Sequence, residues 1–264
     1  MASHYRFIQI VSERPDTLAE FYGTHFAMRQ LGRTHGGDIA MTDGFYNLSL
    51  VKPAAGNEEL GISQFGIEID DIREIEARLE EFAPQADIRQ EPGGLCHGEY
   101  SVLDPNGIKV SLSTQHFSAT SEQRGLPSIR HIALAVPKND EMLHFYMNVF
   151  GFRENNRSQR NRREGRDSRW AVDGETAMAI LPDPLKWNEN GEEGTSHRKR
   201  GINHFGFVVS DVQPYFALLP EGAVSKRPEF VNSAEYRISD PDGNGMDISK
   251  NKGYEVDPDT WVRG

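Results

Sequence analysis

The feature that most constrains this chain is an internal repeat. Aligning Phe21-Tyr22 with Phe145-Tyr146 lays residues 5–117 over residues 129–250, so one folding unit occurs twice. The copies differ at three telling places. The second reads His131, His204 and Asp247 where the first reads Phe7, Gln64 and Ser111. Two histidines and a carboxylate on three separate strands make a facial triad, which holds a divalent metal on one side and leaves positions open for other ligands. The contrast predicts one metal-binding half and one structural half.

Each copy divides again into two similar pieces: a strand, a helix, then further strands. In His131–Val136 the residues Ile132, Leu134 and Val136 share one face, while His131, Ala133 and Ala135 share the other. A histidine among alanines leaves room for a metal and its ligand. Pro137 then opens a helix carrying Leu143, Tyr146 and Phe150; in the first copy Ile8 and Ile10 mark the strand, and Pro15, Leu18, Phe21 and Tyr22 the helix. The second pieces open on Gly61-Ile-Ser-Gln-Phe-Gly66 and Gly201-Ile-Asn-His-Phe-Gly206. A helix follows, clearest at Ile72, Ile75, Leu79 and Phe82. Each copy closes on a hairpin, at Asp104-Pro-Asn-Gly107 and at Asp240-Pro-Asp-Gly243, where proline fixes φ and glycine accepts a positive one. The fold class is therefore α+β, built from tandem βαβββ motifs.

Two domains are expected, 1–117 without metal ligands and 128–264 with them, joined by a polar linker at 118–127. Residues 184–200 have no hydrophobic period and read as a long loop of the kind that serves as a lid. Seven arginines crowd into 153–169, which reads as a solvated loop or as a subunit contact. The net charge of −11 disfavours nucleic acid as a partner. No apolar run is long enough for a membrane span. Met1–Val11 lacks the pattern of a secretory signal, and Cys96, the only cysteine, excludes an intramolecular disulfide. A cytoplasmic protein is expected.

The repeated pattern, the recurring Phe-Tyr and the paired Asp-Pro-x-Gly hairpins resemble the vicinal oxygen chelate superfamily over about residues 5–250. That superfamily includes glyoxalase I, fosfomycin- and bleomycin-resistance proteins and type I extradiol ring-cleaving dioxygenases. Four pieces with ligands only in the second copy look most like the two-domain extradiol dioxygenases. The resemblance implies two vicinal-oxygen-chelate domains, with His131, His204 and Asp247 as metal ligands. Aspartate stands at 247 where the family usually has glutamate, one methylene shorter.

The family also places a histidine on the strand around 177–180 and a tyrosine ten residues before the last ligand. Here that strand reads Ala177-Met178-Ala179-Ile180, and Arg237 holds the tyrosine's position. Glyoxalase I presents a carboxylate on the same strand, and none is present. Arg237 is a candidate clamp for an anionic substrate group, because a guanidinium binds carboxylate in a bidentate way. His197, in the long loop, is a candidate acid–base residue.

The leading expectation is a non-haem Fe(II)-dependent dioxygenase, using O2 to cleave a small aromatic diol by extradiol-type chemistry, in a homo-oligomer. A lyase or isomerase acting through an enediolate, with Mn(II) or another divalent metal, is the first alternative. A metal-free binding protein of the resistance type is the second.

Overall fold

A computed structural model describes residues 3–54, 58–118, 125–185, 200–219, 236–250 and 254. The first copy contributes β1 (His4–Val11), α1 (Pro15–Phe26), β2 (Arg29–Arg33), β3 (Ile39–Thr42), β4 (Asn47–Val51) and β5 (Gly61–Glu68). It continues with α2 (Ile72–Phe82), β6 (Arg89–Gln90), β7 (Tyr100–Leu103) and β8 (Lys109–Ser113). The second contributes β9 (Ser128–Ala135), α3 (Asn139–Phe150), β10 (Arg153–Glu154), α4 (Asn156–Arg163), β11 (Arg169–Val172), β12 (Ala177–Leu181), β13 (Gly201–Val209), β14 (Tyr236–Ser239) and β15 (Gly245–Lys250).

Each copy forms one mixed sheet. The orders are β2-β3-β4-β1-β5-β8-β7-β6 and β10-β11-β12-β9-β13-β15-β14, so the repeat seen in sequence is a repeat in space. In both, the opening strands of the two pieces lie antiparallel at the centre, and each runs parallel to the last strand of its own piece. The fold is α+β, with two units built from βαβββ motifs.

The alternation in β9 settles which face does what. Ile132, Leu134 and Val136 enter a large core that also takes in Tyr5, Tyr22, Phe26 and Phe65 of the first copy. Ala133 enters a separate small cluster on the opposite face, with Trp170, Val172, Ala177, Ala179, Val208 and Tyr254. The first core is continuous between the copies: Phe26 stacks on Phe207 at 4.0 Å between ring centroids, and Tyr5 lies 4.4 Å from Phe152. Both sheets thus turn their helix-bearing faces toward one another.

Polar bonds cross this interface in matched pairs. The Tyr22 hydroxyl donates to Asp240 at 2.8 Å, and the Tyr146 hydroxyl donates to Asp104 at 2.9 Å. Asp173 accepts from the Tyr5 backbone N–H, and Asp43 accepts from that of Ile129. The Phe-Tyr and Asp-Pro-x-Gly phrases therefore recur because each copy's helix tyrosine needs the other copy's turn aspartate. The turns themselves are tight: Gly107 and Gly243 have φ of +79° and +87°, and their N–H groups donate to the carbonyls of Asp104 and Asp240.

Three expectations change. The segment 153–169 is not simply a loop: Asn155 caps α4 by accepting from the Arg157 N–H, and Ser158 and Asn161 turn inward. Its arginines are engaged locally, Arg169 and Arg162 with Asp140, and Arg157 over the Trp170 ring. After β13 there is a short 3-10 turn, Gln213–Leu218, where the first copy has the full helix α2. Finally, α3 starts at Asn139, two residues beyond Pro137, because Lys138 is in a non-helical conformation. Among the described residues no helix is long and apolar enough to cross a membrane.

Candidate metal centre

β9, β13 and β15 are adjacent at the middle of the second sheet, and they bring three residues to the face away from the large core. Register places Gly206 opposite His131 and beside Asp247, and His204 opposite Ala133. His131, His204 and Asp247 are all buried, and one ligand atom from each lies within 4.8 Å of the others. No other group of three or more metal-ligand side chains meets this geometry among the described residues.

The hydrogen bonds around the histidines decide which nitrogen is presented. His131 Nδ1 lies 2.9 Å from the Ala177 carbonyl, which can only accept, so Nδ1 carries the proton and Nε2 keeps its lone pair. His204 Nδ1 lies 2.7 Å from Asn203 Oδ1, with the same consequence. Outer partners of this kind fix ring orientation at metal sites. The His131 ring is also clamped flat. Trp170 stacks on one side at 5.4 Å and Tyr254 on the other at 4.6 Å, within 19° and 8° of parallel. Gly206 makes room for this arrangement, since a Cβ there would collide with the Tyr254 hydroxyl.

Arg237 belongs to the same cluster. It sits directly across from Asp247 in the β14–β15 ladder, and its Nε donates to Asp247 Oδ1 at 2.6 Å. Its Nη2 donates to His204 Nε2 at 2.9 Å, and His204 Nε2 lies 3.1 Å from Asp247 Oδ2. Burial alone would raise the Asp247 pKa, but the adjoining His204 and Arg237 outweigh it and hold the carboxyl well below its usual range. Burial, followed by the neighbouring His204, brings His131 down to about 3. The set is thus an anionic carboxylate and a neutral imidazole held beside a second imidazole, a donor chemistry that suits a hard-to-borderline divalent cation. The guanidinium lies where a cation is attracted.

Sequence reasoning brought His131, His204, Asp247 and Arg237 to one place, and the fold puts them there. His197 lies outside the described residues. Three participants escaped it: Asn203, Trp170 and Tyr254. A signal existed for the last. Phe117 follows β8 by four residues and stacks on Phe7 at 4.7 Å, as Tyr254 follows β15 by four and stacks on His131.

Comparisons with known proteins agree with this architecture. Residues 128–248 match the family model of the Glyoxalase/Bleomycin resistance protein/Dioxygenase superfamily. A search of curated protein sequences gave no match. Among solved structures, the Mn(II)-bound glyoxalase from Novosphingobium aromaticivorans superposes with a TM-score of 0.67 at 16% identity, covering 98% of this chain and 85% of that one. An extradiol ring-cleaving dioxygenase from B. fuscum gives 0.63 at 16% identity, with 97% and 74% covered. Homoprotocatechuate 2,3-dioxygenase from Arthrobacter globiformis gives 0.61 at 16% identity, with 94% and 79% covered. At such identities the likeness establishes the fold. The second copy thus matches the Glyoxalase/Bleomycin resistance protein/Dioxygenase superfamily model over residues 128–248, and the chain has a fold similar to that of the extradiol dioxygenases and that glyoxalase.

Proposed function

We propose that the chain is a metal-dependent enzyme whose second copy, 128–264, binds Fe(II) through His131, His204 and Asp247 and supports extradiol-type cleavage of a small catechol-like diol by O2. The first copy, 1–117, buttresses it. The observation that carries this reading is the number of donors: three buried ligand side chains, and none on β12, where Ala177–Leu181 offers only apolar side chains. A three-donor set would leave a bound metal room for two vicinal oxygens and for O2.

When bound, the metal lowers the pKa of the substrate hydroxyls and brings the reactants together. The chain's own groups do the rest. Ala177 O and Asn203 Oδ1 hold the two imidazoles with Nε2 presented, and the Trp170 and Tyr254 rings keep His131 from turning. Arg237 steadies Asp247 through Nε, while its Nη2 donor is placed to move from His204 to an anionic substrate oxygen. Ala133, Val172, Ala179 and Val208 keep that side of the site dry. His197 is proposed to move the substrate proton.

A second reading has its own support: an isomerase or lyase that works through an enediolate, with Mn(II) at the same ligands. Arg237 stands where a tyrosine would serve ring cleavage, a guanidinium suits an enediolate oxygen, and a Mn(II)-bound glyoxalase shares the fold. Oxygen uptake separates the two. Fe(II)-loaded protein that consumes O2 in proportion to catechol, with loss in Asp247→Asn, supports the first. Turnover of a hemithioacetal without O2, with none of catechol, overturns it in favour of the second.

A further inference from the structure

We propose that the first copy carries a second, metal-free site, a polar cavity that binds a small hydroxyl-rich molecule without negative charge. The cavity has a volume of about 390 Å3 and is lined by Gln9, Ser63, Gln64, Glu91, His97 and Lys109, with Glu58 at its exposed rim. That size lies within the range of small-molecule pockets.

Its position is the first observation. Gln64 occupies the place of His204, and Gln9, its partner across the ladder, occupies that of Ala133. The cavity therefore opens on the sheet face that in the second copy bears the metal ligands. Where that copy has an alanine and a histidine, the first has two long amides.

The hydrogen bonding of those amides is the second. Gln64 Nε2 donates to Gln9 Oε1, and Gln9 Nε2 donates to Ser63 Oγ. This order leaves Gln64 Oε1 without a partner, although the side chain is only 5% exposed. A buried acceptor left unpaired is costly, and a ligand hydroxyl that reached it would remove that cost.

The walls set the ligand class. Lys109 Nζ is held by Glu91 at 2.8 Å, and Glu91 also accepts from Ser101. With Glu58 also in the lining, carboxylates outnumber ammonium groups two to one, which disfavours an anion. The lining mixes acceptors, Ser63 Oγ and the carboxylates of Glu58 and Glu91, with donors from the Gln9 and Gln64 amides. Burial lowers the His97 pKa, so near neutral pH its ring offers one donor and one acceptor. A polyol supplies several O–H donors and a few acceptors in this volume, and needs no counter-charge.

The test uses the full-length protein, with the histidine ring signals followed by NMR during titration with myo-inositol, and with gluconate as the anionic comparison. The expected result is a saturable movement of the His97 signals with a Kd on the order of 1 mM. Gln64→Leu should weaken it at least tenfold and His204→Ala should leave it unchanged, with gluconate much weaker. No saturable movement, equal affinity in Gln64→Leu, or gluconate binding as tightly would overturn the site. If Gln64→Leu does not fold, Lys109→Met at the half-exposed wall decides: weaker inositol binding supports the site, and unchanged binding overturns it. None of these readouts depends on the metal centre.

Discussion

At the middle of the first sheet Phe7 stacks on Phe117, and Gln64 bonds to Gln9; at the middle of the second, His131 stacks between Trp170 and Tyr254, and His204 meets Asp247 and Arg237. The registers of the two central ladders are the same. What separates an apolar, amide-lined centre from a charged one is a handful of side chains on an identical ladder. The comparison teaches that this fold fixes where a site can be, while three positions decide whether ligand-type side chains gather there. It also shows what both copies keep: an aromatic from beyond the last strand, laid against the glycine of the central strand.

The largest effects should come from breaking the contrast at its ligands. Asp247→Asn should reduce Mn(II) affinity in a calorimetric titration by more than the roughly 10–100-fold typical of an outer partner, while Ser111→Ala, at the matching place in the first copy, should leave it unchanged. Asn203→Ala sharpens the point. It removes the acceptor that fixes His204 without touching a ligand, and should cost roughly 10–100-fold in the same titration.

Next come the paired bonds between the copies. Burial, the largest influence, pushes the Asp104 carboxyl up to about 6 against the hydrogen bonds of Ile108, Asn106 and Tyr146. The native state then holds that proton more tightly than the unfolded chain does. Its contribution to stability is full below about pH 4 and is lost as the pH rises toward about 6, a difference of roughly 2–3 kcal/mol. Asp104→Asn should flatten this part of the stability–pH curve in urea unfolding; an unchanged slope would contradict the assignment. Tyr22→Phe and Tyr146→Phe should each cost about 1–2 kcal/mol, because a buried carboxylate oxygen loses its donor. Similar costs for the two would support equivalence of the paired bonds, and a marked inequality would break it. The smallest effect concerns helix ends. α1 ends on Ala27 at φ +52°, where α3 ends on Gly151 at φ +73°. Ala27→Gly should stabilise by about 0.5–1 kcal/mol, since alanine is strained in the left-handed region. A loss of stability on thermal melting would refute this.

Much of this was legible in the chain. The repeated Phe-Tyr and Asp-Pro-x-Gly phrases are visible because both members of each bond must be kept twice. The triad is visible because it interrupts a repeat, at 131, 204 and 247, with residues that a sheet core does not need. Arg237 could be placed by strand alternation, which puts it across from Asp247. The rest was less visible for physical reasons. Trp170 reaches His131 only through the pairing of β11 with β12 and of β12 with β9, a relation with no signature in local spacing. Tyr254 follows the last strand in a stretch without periodicity. The helix α4 is hard to see because its sequence, Asn-Arg-Ser-Gln-Arg-Asn-Arg-Arg, has no apolar stripe and buries a serine and an asparagine instead.

The central claim is that one copy holds a metal and the other does not. It is tested most directly by elemental analysis of protein purified without oxygen, comparing the wild type with His204→Ala and Gln64→Ala. The account predicts near one divalent metal ion per chain in the wild type and in Gln64→Ala, and loss of that metal in His204→Ala. A wild type that stays metal-free after reconstitution, or a His204→Ala protein that keeps its metal, would contradict it.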